Sequence, residues 1–279
     1  PGLSVSERRG ATLNGVQRSL QAGRAGEGDQ CVMNHLDLFS GIGGFSLGME
    51  ATGGFKTVAF CEIEEYPRKV LRKHWPHVKQ YEDIKELNHE RLKADGIDSI
   101  DVITGGYPCT PFSNAGKKQG GSDPRHLWPE MFRIIKELRP NWIIAENVSG
   151  HIKLGLDTVL QNLEDQMYST RTFSLSASSV GANHKRERIW IVANSVKGDV
   201  EAGRERRREI REGHQEEGFP SDAAGRGENP WEGWWTVEPE LGRMDHGIPK
   251  RVDRLKCLGN SLIPMIPFLI GRSILEANG

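Results

Sequence analysis

Short apolar runs recur along the chain, each closed by glycine, a carboxylate or asparagine. Residues 35–39, 57–61, 100–104 and 142–145 are such runs, too short for helices and bounded by turn-formers, which predicts strands. A further strand position falls at 81–84, and 173–178 and 189–193 predict two more. Between them the spacing turns helical. Phe45, Leu47 and Met49 follow the first run; 64–75 and 125–138 read as helices, the second ended by Pro140. Ile152, Leu156, Val159, Leu160, Leu163 and Met167 fall at helical spacing and are expected in the core. Strand alternating with helix predicts an α/β fold. After residue 193 the periodicity is lost until 255–275, where Pro264 is well placed to open a last helix that packs back on the main domain. The chain thus divides into an N-terminal extension (1–33), expected to be mobile, a main domain (34–193), a small irregular region (194–245) and a C-terminal segment (246–279).

Candidate chemistry gathers where the apolar runs end. Residues 35–39 run into Ser40-Gly41-Ile42-Gly43-Gly44 and then a helix. Strand, glycine loop and helix form a dinucleotide-type unit in which backbone approaches a ligand, although ordinary turns use such glycines too. The second run ends at Glu62, where an acid grips a ribose diol in such folds. No GxGxxG is present, which points away from NAD and toward another adenosine ligand. Asp83 sits at the third strand position, either to accept an adenine amino group or to serve as a helix cap or solvated loop acid. The fourth run opens 101–113, DVITGGYPCTPFS, where Cys109 stands between Pro108 and Pro111. Two prolines restrict the backbone around it, which suits an aimed nucleophile and equally a buried cysteine in a proline turn. The polar loop that follows carries Lys117 and Lys118; it either closes over a substrate or is solvated. Glu146 follows the fifth run, at the sheet edge where open α/β folds bind ligands. Arg186 and Arg188, two apart, would point to one side of a strand, suited to an oxygen-rich substrate or to a solvated face.

Composition narrows the classes. The net charge of −1 does not advertise a nucleic-acid binder, though a local basic face can hide within it. Arg204 to Arg208 with Trp231, Trp234 and Trp235 are either such a face or a solvated helix beside a minimal core. Four cysteines, at 31, 61, 109 and 257, lack zinc spacing, so reduced thiols in a cytoplasmic setting and no structural metal are expected. No apolar run is long enough for a membrane span, and the first thirty residues lack a signal-peptide core.

Five of these pieces, in this order, resemble the C5-cytosine DNA methyltransferases. DLFSGIGGF at 37–45 is similar to that family's S-adenosylmethionine loop, and GGYPCTPFS at 105–113 to its Pro-Cys nucleophile loop. ENV at 146–148, RER at 186–188 and GNSLIP at 259–264 resemble its Glu-Asn-Val, paired-arginine and C-terminal cofactor motifs. The resemblance implies a Rossmann-like sheet with helices on both faces. It also implies a small target-recognition domain and a cleft for double-stranded DNA. The cofactor would be S-adenosylmethionine, in a pocket formed by Phe39, Ser40, Gly41, Gly43, Gly44, Glu62, Ile63, Asp83, Ile84, Pro108, Leu127, Asn260 and Ser261. Phe39 and Ile63 would cover the adenine faces, and Glu62 would hold the ribose. Catalysis would rest on Cys109, Glu146, Arg186 and Arg188. The resemblance further implies a monomer, bacterial or phage-encoded, with a cognate restriction endonuclease as a potential companion. A tRNA cytosine-C5 methyltransferase or an inactive DNA-binding relative would share this fold.

Three positions depart from the family pattern. Thr110 follows the cysteine where glutamine is usual, and His184 and Lys185 stand where glutamine precedes the arginines. The recognition region is also short.

Overall fold

The computed structural model describes residues 32–108, 127–153, 155–196, 257 and 260–278. Seven strands form one sheet: β1 (Met33–Leu38), β2 (Phe55–Cys61), β3 (Lys79–Tyr81), β4 (Val102–Gly105), β5 (Trp142–Val148), β6 (Tyr168–Ser176) and β7 (Glu187–Ser195). Their order is β3-β2-β1-β4-β5-β7-β6. β1 pairs in parallel with β2 and β4, β2 with β3, and β4 with β5. β7 is antiparallel to both β5 and β6. The order reverses between β1 and β4, which opens a crevice at the carboxyl ends of those strands.

Helices cover both faces, and the strand alternation shows it. Ile103, Ile143 and Ala145 belong to one core, with residues of α3 (His89–Ala94), α4 (Trp128–Leu138) and α5 (Leu156–Asp165). Val102, Ile144 and Trp190 belong to the other, with α1 (Gly44–Ala51) and α6 (Met265–Asn278). Phe60 points to that second side too, against Leu71 of α2 (Glu65–His74). The central strands β1 and β4 are buried almost throughout, as a doubly covered parallel sheet requires. No helix among the described residues is long and apolar enough to cross a membrane.

α6 packs on α1 as its apolar spacing predicts. A Cβ at Gly48 would lie 2.3 Å from the Pro264 carbonyl oxygen, so only glycine lets the two backbones come this close.

Several elements differ from the sequence reading. β5 does not stop at Ala145 but runs through the Glu146-Asn147-Val148 motif, because β7 pairs with it there: Glu146 opposite Trp190, Val148 opposite Arg188. Ile152 is exposed on a 3-10 turn, Ser149–Lys153, and α5 starts only at Leu156. Met167 adopts a positive φ of 66° beyond the end of α5. The six-residue helix α3 carries one buried side chain, Leu92, too little for a periodic signal; the Asn88 side chain caps it by accepting from the Arg91 N–H at 2.8 Å. The helix expected from 125 is described from Trp128, with proline in its first turn. Residues 1–31 and 197–256 lie outside the described residues, and with them nearly all of the proposed extension and recognition region.

A polar ladder runs through the middle of the sheet under α1. The Thr104 hydroxyl donates to Asp37 Oδ1 at 3.3 Å and the Ser46 hydroxyl to Oδ2 at 2.7 Å. His35 Nε2 lies 2.7 Å from that Thr104 oxygen and Nδ1 3.1 Å from the Thr57 hydroxyl. When Asp37 is ionised and accepts from Thr104, His35 donates from Nε2 and accepts at Nδ1. Burial lowers the His35 pKa to about 3, so the ring stays neutral. Burial raises the Asp37 pKa to about 8, against its hydrogen bonds and helped by the nearby acid Glu62. The sign follows from linkage. A raised carboxyl stabilises the fold fully below its unfolded value, and that contribution is lost as pH rises from 3.8 toward 8. Asp37→Asn is therefore expected to flatten the fall of the melting temperature between pH 5 and 8, relative to wild type, in thermal scans. An unchanged slope would show that another group governs it.

Candidate active site

The glycine loop leaves β1 through three left-handed residues: Phe39 (φ 53°), Gly41 (φ 53°) and Gly43 (φ 86°). The Ser40 side chain pins the turn, its hydroxyl donating to the Asp37 carbonyl at 2.6 Å and the Cys61 carbonyl at 3.3 Å. Gly41 needs glycine for its φ, since a Cβ there would meet nothing within 4 Å. Gly43 needs it for space as well, because a Cβ would lie 2.7 Å from the Trp75 ring. Gly44, the first residue of α1, faces Leu262, which brings the segment at Asn260 and Ser261 beside the loop.

Glu62 closes this crevice from the end of β2. Its Oε2 accepts from the Gly41 N–H and its Oε1 from the Glu64 N–H, both at 2.8 Å. Burial raises its pKa, opposed by those two hydrogen bonds. Ile63 beside it is 68% exposed, an unusual place for a large apolar side chain at a sheet edge. Asp83 stands at the start of a turn, where its Oδ1 accepts from the Lys85 N–H at 2.9 Å; the next helix begins only at His89 and is capped by Asn88. Ile84 is buried in the main core, and its carbonyl accepts from Arg133 at 2.8 Å. Leu127 precedes α4, and Pro108 ends the described part of the β4 loop. An adenosine-type ligand fits this set. The backbone lies open above Gly41, a carboxylate joins the loop to β2, and an exposed apolar side chain stands beside it.

The second group lies at the ends of β4, β5 and β7. Arg188 Nε donates to Glu146 Oε1 at 2.9 Å, with both side chains largely buried. Glu146 faces Trp190 across the ladder, so Arg188 reaches it from two residues away on the adjacent strand. Burial raises the Glu146 pKa, while Arg188 and then Arg186 pull it back down. Arg186 is held below its ordinary value by burial first and by Arg188 second, with Glu146 acting the other way. Both arginines thus act on one carboxylate, Arg188 from β7 and Arg186 from just before that strand begins. Glu146 Oε2 faces the β4 loop: a Cβ on Gly106 would lie 3.2 Å from it.

Cys109 and Thr110, the lysine loop and Gly259 lie outside the described residues. The described segment ends at Pro108, two residues after the Gly106 that faces Glu146. Cys61 is a poor rival, since burial first and Glu62 second push its thiol up to about 12. No group of metal-binding side chains occurs among the described residues. Sequence reasoning passed over Asn147, which lies within a recognised motif. Its side chain donates from Nδ2 to the Tyr107 carbonyl at 3.2 Å, and its Oδ1 accepts from the Val148 N–H at 2.8 Å.

A family model described as C-5 cytosine-specific DNA methylase matches residues 33–224. The chain belongs to this family. M.HgiBI of Herpetosiphon aurantiacus, a Type II methyltransferase, is 36% identical over 173 residues, covering 59% of this chain and 38% of that protein. M.NgoMIV of Neisseria gonorrhoeae, also a Type II methyltransferase, is 35% identical over 162 residues, covering 57% and 50%. A solved structure described as a prophage-encoded DNA modification methyltransferase from E. coli superposes with a TM-score of 0.51 at 30% identity, over 58% of this chain and 47% of the other. The DNMT2 structure from Spodoptera frugiperda gives 0.50 at 26% identity, over 58% and 50%. The chain therefore spans half or less of these relatives. Within the family, its sheet and crevice are those of the methyltransferase fold.

Proposed function

We propose that this protein methylates C5 of cytosine in double-stranded DNA, with S-adenosylmethionine as donor and a covalent bond from Cys109 to cytosine C6. The observation that carries the proposal is the Glu146–Arg188 pair beside Gly106, three residues ahead of the cysteine.

Cytosine C5 is a weak nucleophile. Addition of the Cys109 thiolate to C6 moves the C5–C6 electron pair onto C5. Glu146, its pKa raised by burial, delivers a proton to N3 and so accepts the charge that develops in the ring. Arg188 orients Glu146 and offers its remaining N–H groups to the cytosine O2, while Arg186 supports the nucleophile loop. After transfer a base removes the C5 proton, the electron pair returns to the ring and the cysteine leaves.

S-adenosylmethionine, when bound, supplies an electrophilic methyl group. Phe39 and Ile63 would cover its adenine, Glu62 its ribose diol, and Asn260 and Ser261 its methionine end. Glu62 already accepts from two backbone N–H groups, so its place is set before any ligand arrives. Glu62→Ala is expected to weaken cofactor binding at least tenfold in calorimetry, since about 1.5–3 kcal/mol attends the loss of a hydrogen bond to a charged group. Unchanged affinity would remove Glu62 from the pocket.

The target base must leave the helix stack to reach this edge, which costs a few kcal/mol. Residues 194–245 are the proposed recognition region. Relatives named as Type II methyltransferases support a place in restriction–modification, beside a cognate endonuclease.

Bisulfite sequencing of plasmid from cells expressing the protein tests the proposal. Protected cytosines are expected within one recurring short sequence. Unprotected plasmid with methylated tRNA would move the substrate to RNA, and silence on both would leave an inactive relative.

A further inference from the structure

We infer that Tyr107 and His151 are positioning residues that set where the nucleophile loop leaves the sheet relative to Glu146. This inference rests on the catalytic reading above.

The two side chains come from different elements: Tyr107 from just beyond β4, His151 from the 3-10 turn after β5. Both are buried, and the Tyr107 hydroxyl lies 2.8 Å from His151 Nε2. Their rings meet edge to face, with centroids 5.5 Å apart at 76°. On its other side the Tyr107 ring leans on Trp128, 5.2 Å between centroids. Trp128 is itself fixed, its Nε1 donating to Asn162 Oδ1 at 2.9 Å. The Tyr107 backbone is held too, since its carbonyl accepts from Asn147. One residue earlier, Gly106 abuts Glu146 Oε2.

Phenylalanine would fill this space without a polar atom to desolvate. Burying a phenol and an imidazole is costly unless they satisfy each other, and the bond then fixes direction as well as contact. It ties the end of β4 to the turn after β5, so the backbone entering Pro108-Cys109 and the carboxylate of Glu146 are held by one connected set. Reactions that join two groups lose about a hundredfold in rate for a displacement of about 1 Å, which makes such a tie matter to turnover more than to binding.

The test is kinetic. Tyr107→Phe keeps the ring and removes the hydroxyl, and His151→Leu removes the partner. Each is expected to lower kcat by between about 10-fold and 100-fold, with KM for DNA and the cofactor Kd within twofold of wild type. His151→Gln, which keeps a hydrogen-bonding group, is expected to recover most of the loss. The double variant Tyr107→Phe/His151→Leu should be no slower than the slower single one. Wild-type kcat in Tyr107→Phe overturns the inference, as do fully multiplicative losses in the double variant. If His151→Leu does not fold, Tyr107→Phe decides alone. Alkylation of Cys109 by iodoacetamide, followed by peptide mass spectrometry, separates this inference from the catalytic reading. If the wild-type protein methylates nothing, a changed alkylation rate in Tyr107→Phe supports the positioning role and an unchanged rate removes it.

Discussion

On the proposed reaction, Glu146→Gln is expected to lower kcat for cytosine methylation by about 10²- to 10⁴-fold, the range for loss of a positioned general acid. Glutamine matches the shape of the side chain and can keep a hydrogen bond from Arg188, but it has no proton to give to N3. The pH profile gives an independent check. Burial raises the Glu146 pKa above the ordinary carboxylate value, with Arg188 and Arg186 opposing. The protonated form, and the activity that needs it, is therefore kept below the raised value and lost as pH rises through it. Single-turnover rates across pH should show that alkaline limb in wild type and lose it in Glu146→Gln. A variant that turns over like wild type would show that the carboxyl only holds the arginines in place. Stability responds in the same direction: an acid raised by folding contributes less as pH increases.

Cys109→Ala is expected to abolish methyl transfer while leaving DNA and cofactor binding intact. Without addition at C6, C5 never becomes electron-rich, and the rest of the site then has nothing to accelerate. A loss of at least about 10³-fold is expected, since removing a nucleophile leaves only binding and electrostatic help. None of the other thiols should substitute. Cys61 is buried within the sheet and its thiol is pushed up to about 12, so it offers almost no thiolate at neutral pH. The measurement is tritium transfer from labelled S-adenosylmethionine to duplex DNA, with calorimetry to confirm that the variant still binds cofactor. Transfer by the alanine variant would exclude the covalent route.

Much of this site was legible because its signals are local. Strand, glycine loop and helix around Ser40–Gly44 depend on a few residues and their φ demands, and the structure places left-handed φ at Gly41 and Gly43. The pairing of Arg186 with Arg188 is local in the sequence, and both act on Glu146, although β7 begins only at Glu187. Asp83 held readings that differ only in what lies nearby, and no helix starts after it to be capped; its Oδ1 accepts from the Lys85 N–H within a turn. Ile152 matched a helical period by spacing alone, yet a 3-10 turn leaves it exposed. His151 gave no sequence signal, because its role depends on a tyrosine 44 residues away.

The sequence by itself determined the alternation of strands and helices, the positions of the glycine loop and the order of the five motifs. Each rests on periodicity or turn chemistry that acts over a handful of neighbours. The tertiary structure alone decided which strands lie side by side and what their ends bring together. The strand order puts β7 against β5, so that Arg188 reaches Glu146, and puts β4 beside β5, so that Tyr107 reaches Asn147 and His151. Those contacts join residues some forty apart, and no local spacing encodes them. They form because burying both faces of the sheet leaves the polar ends of its strands only one another, the loops and solvent as partners.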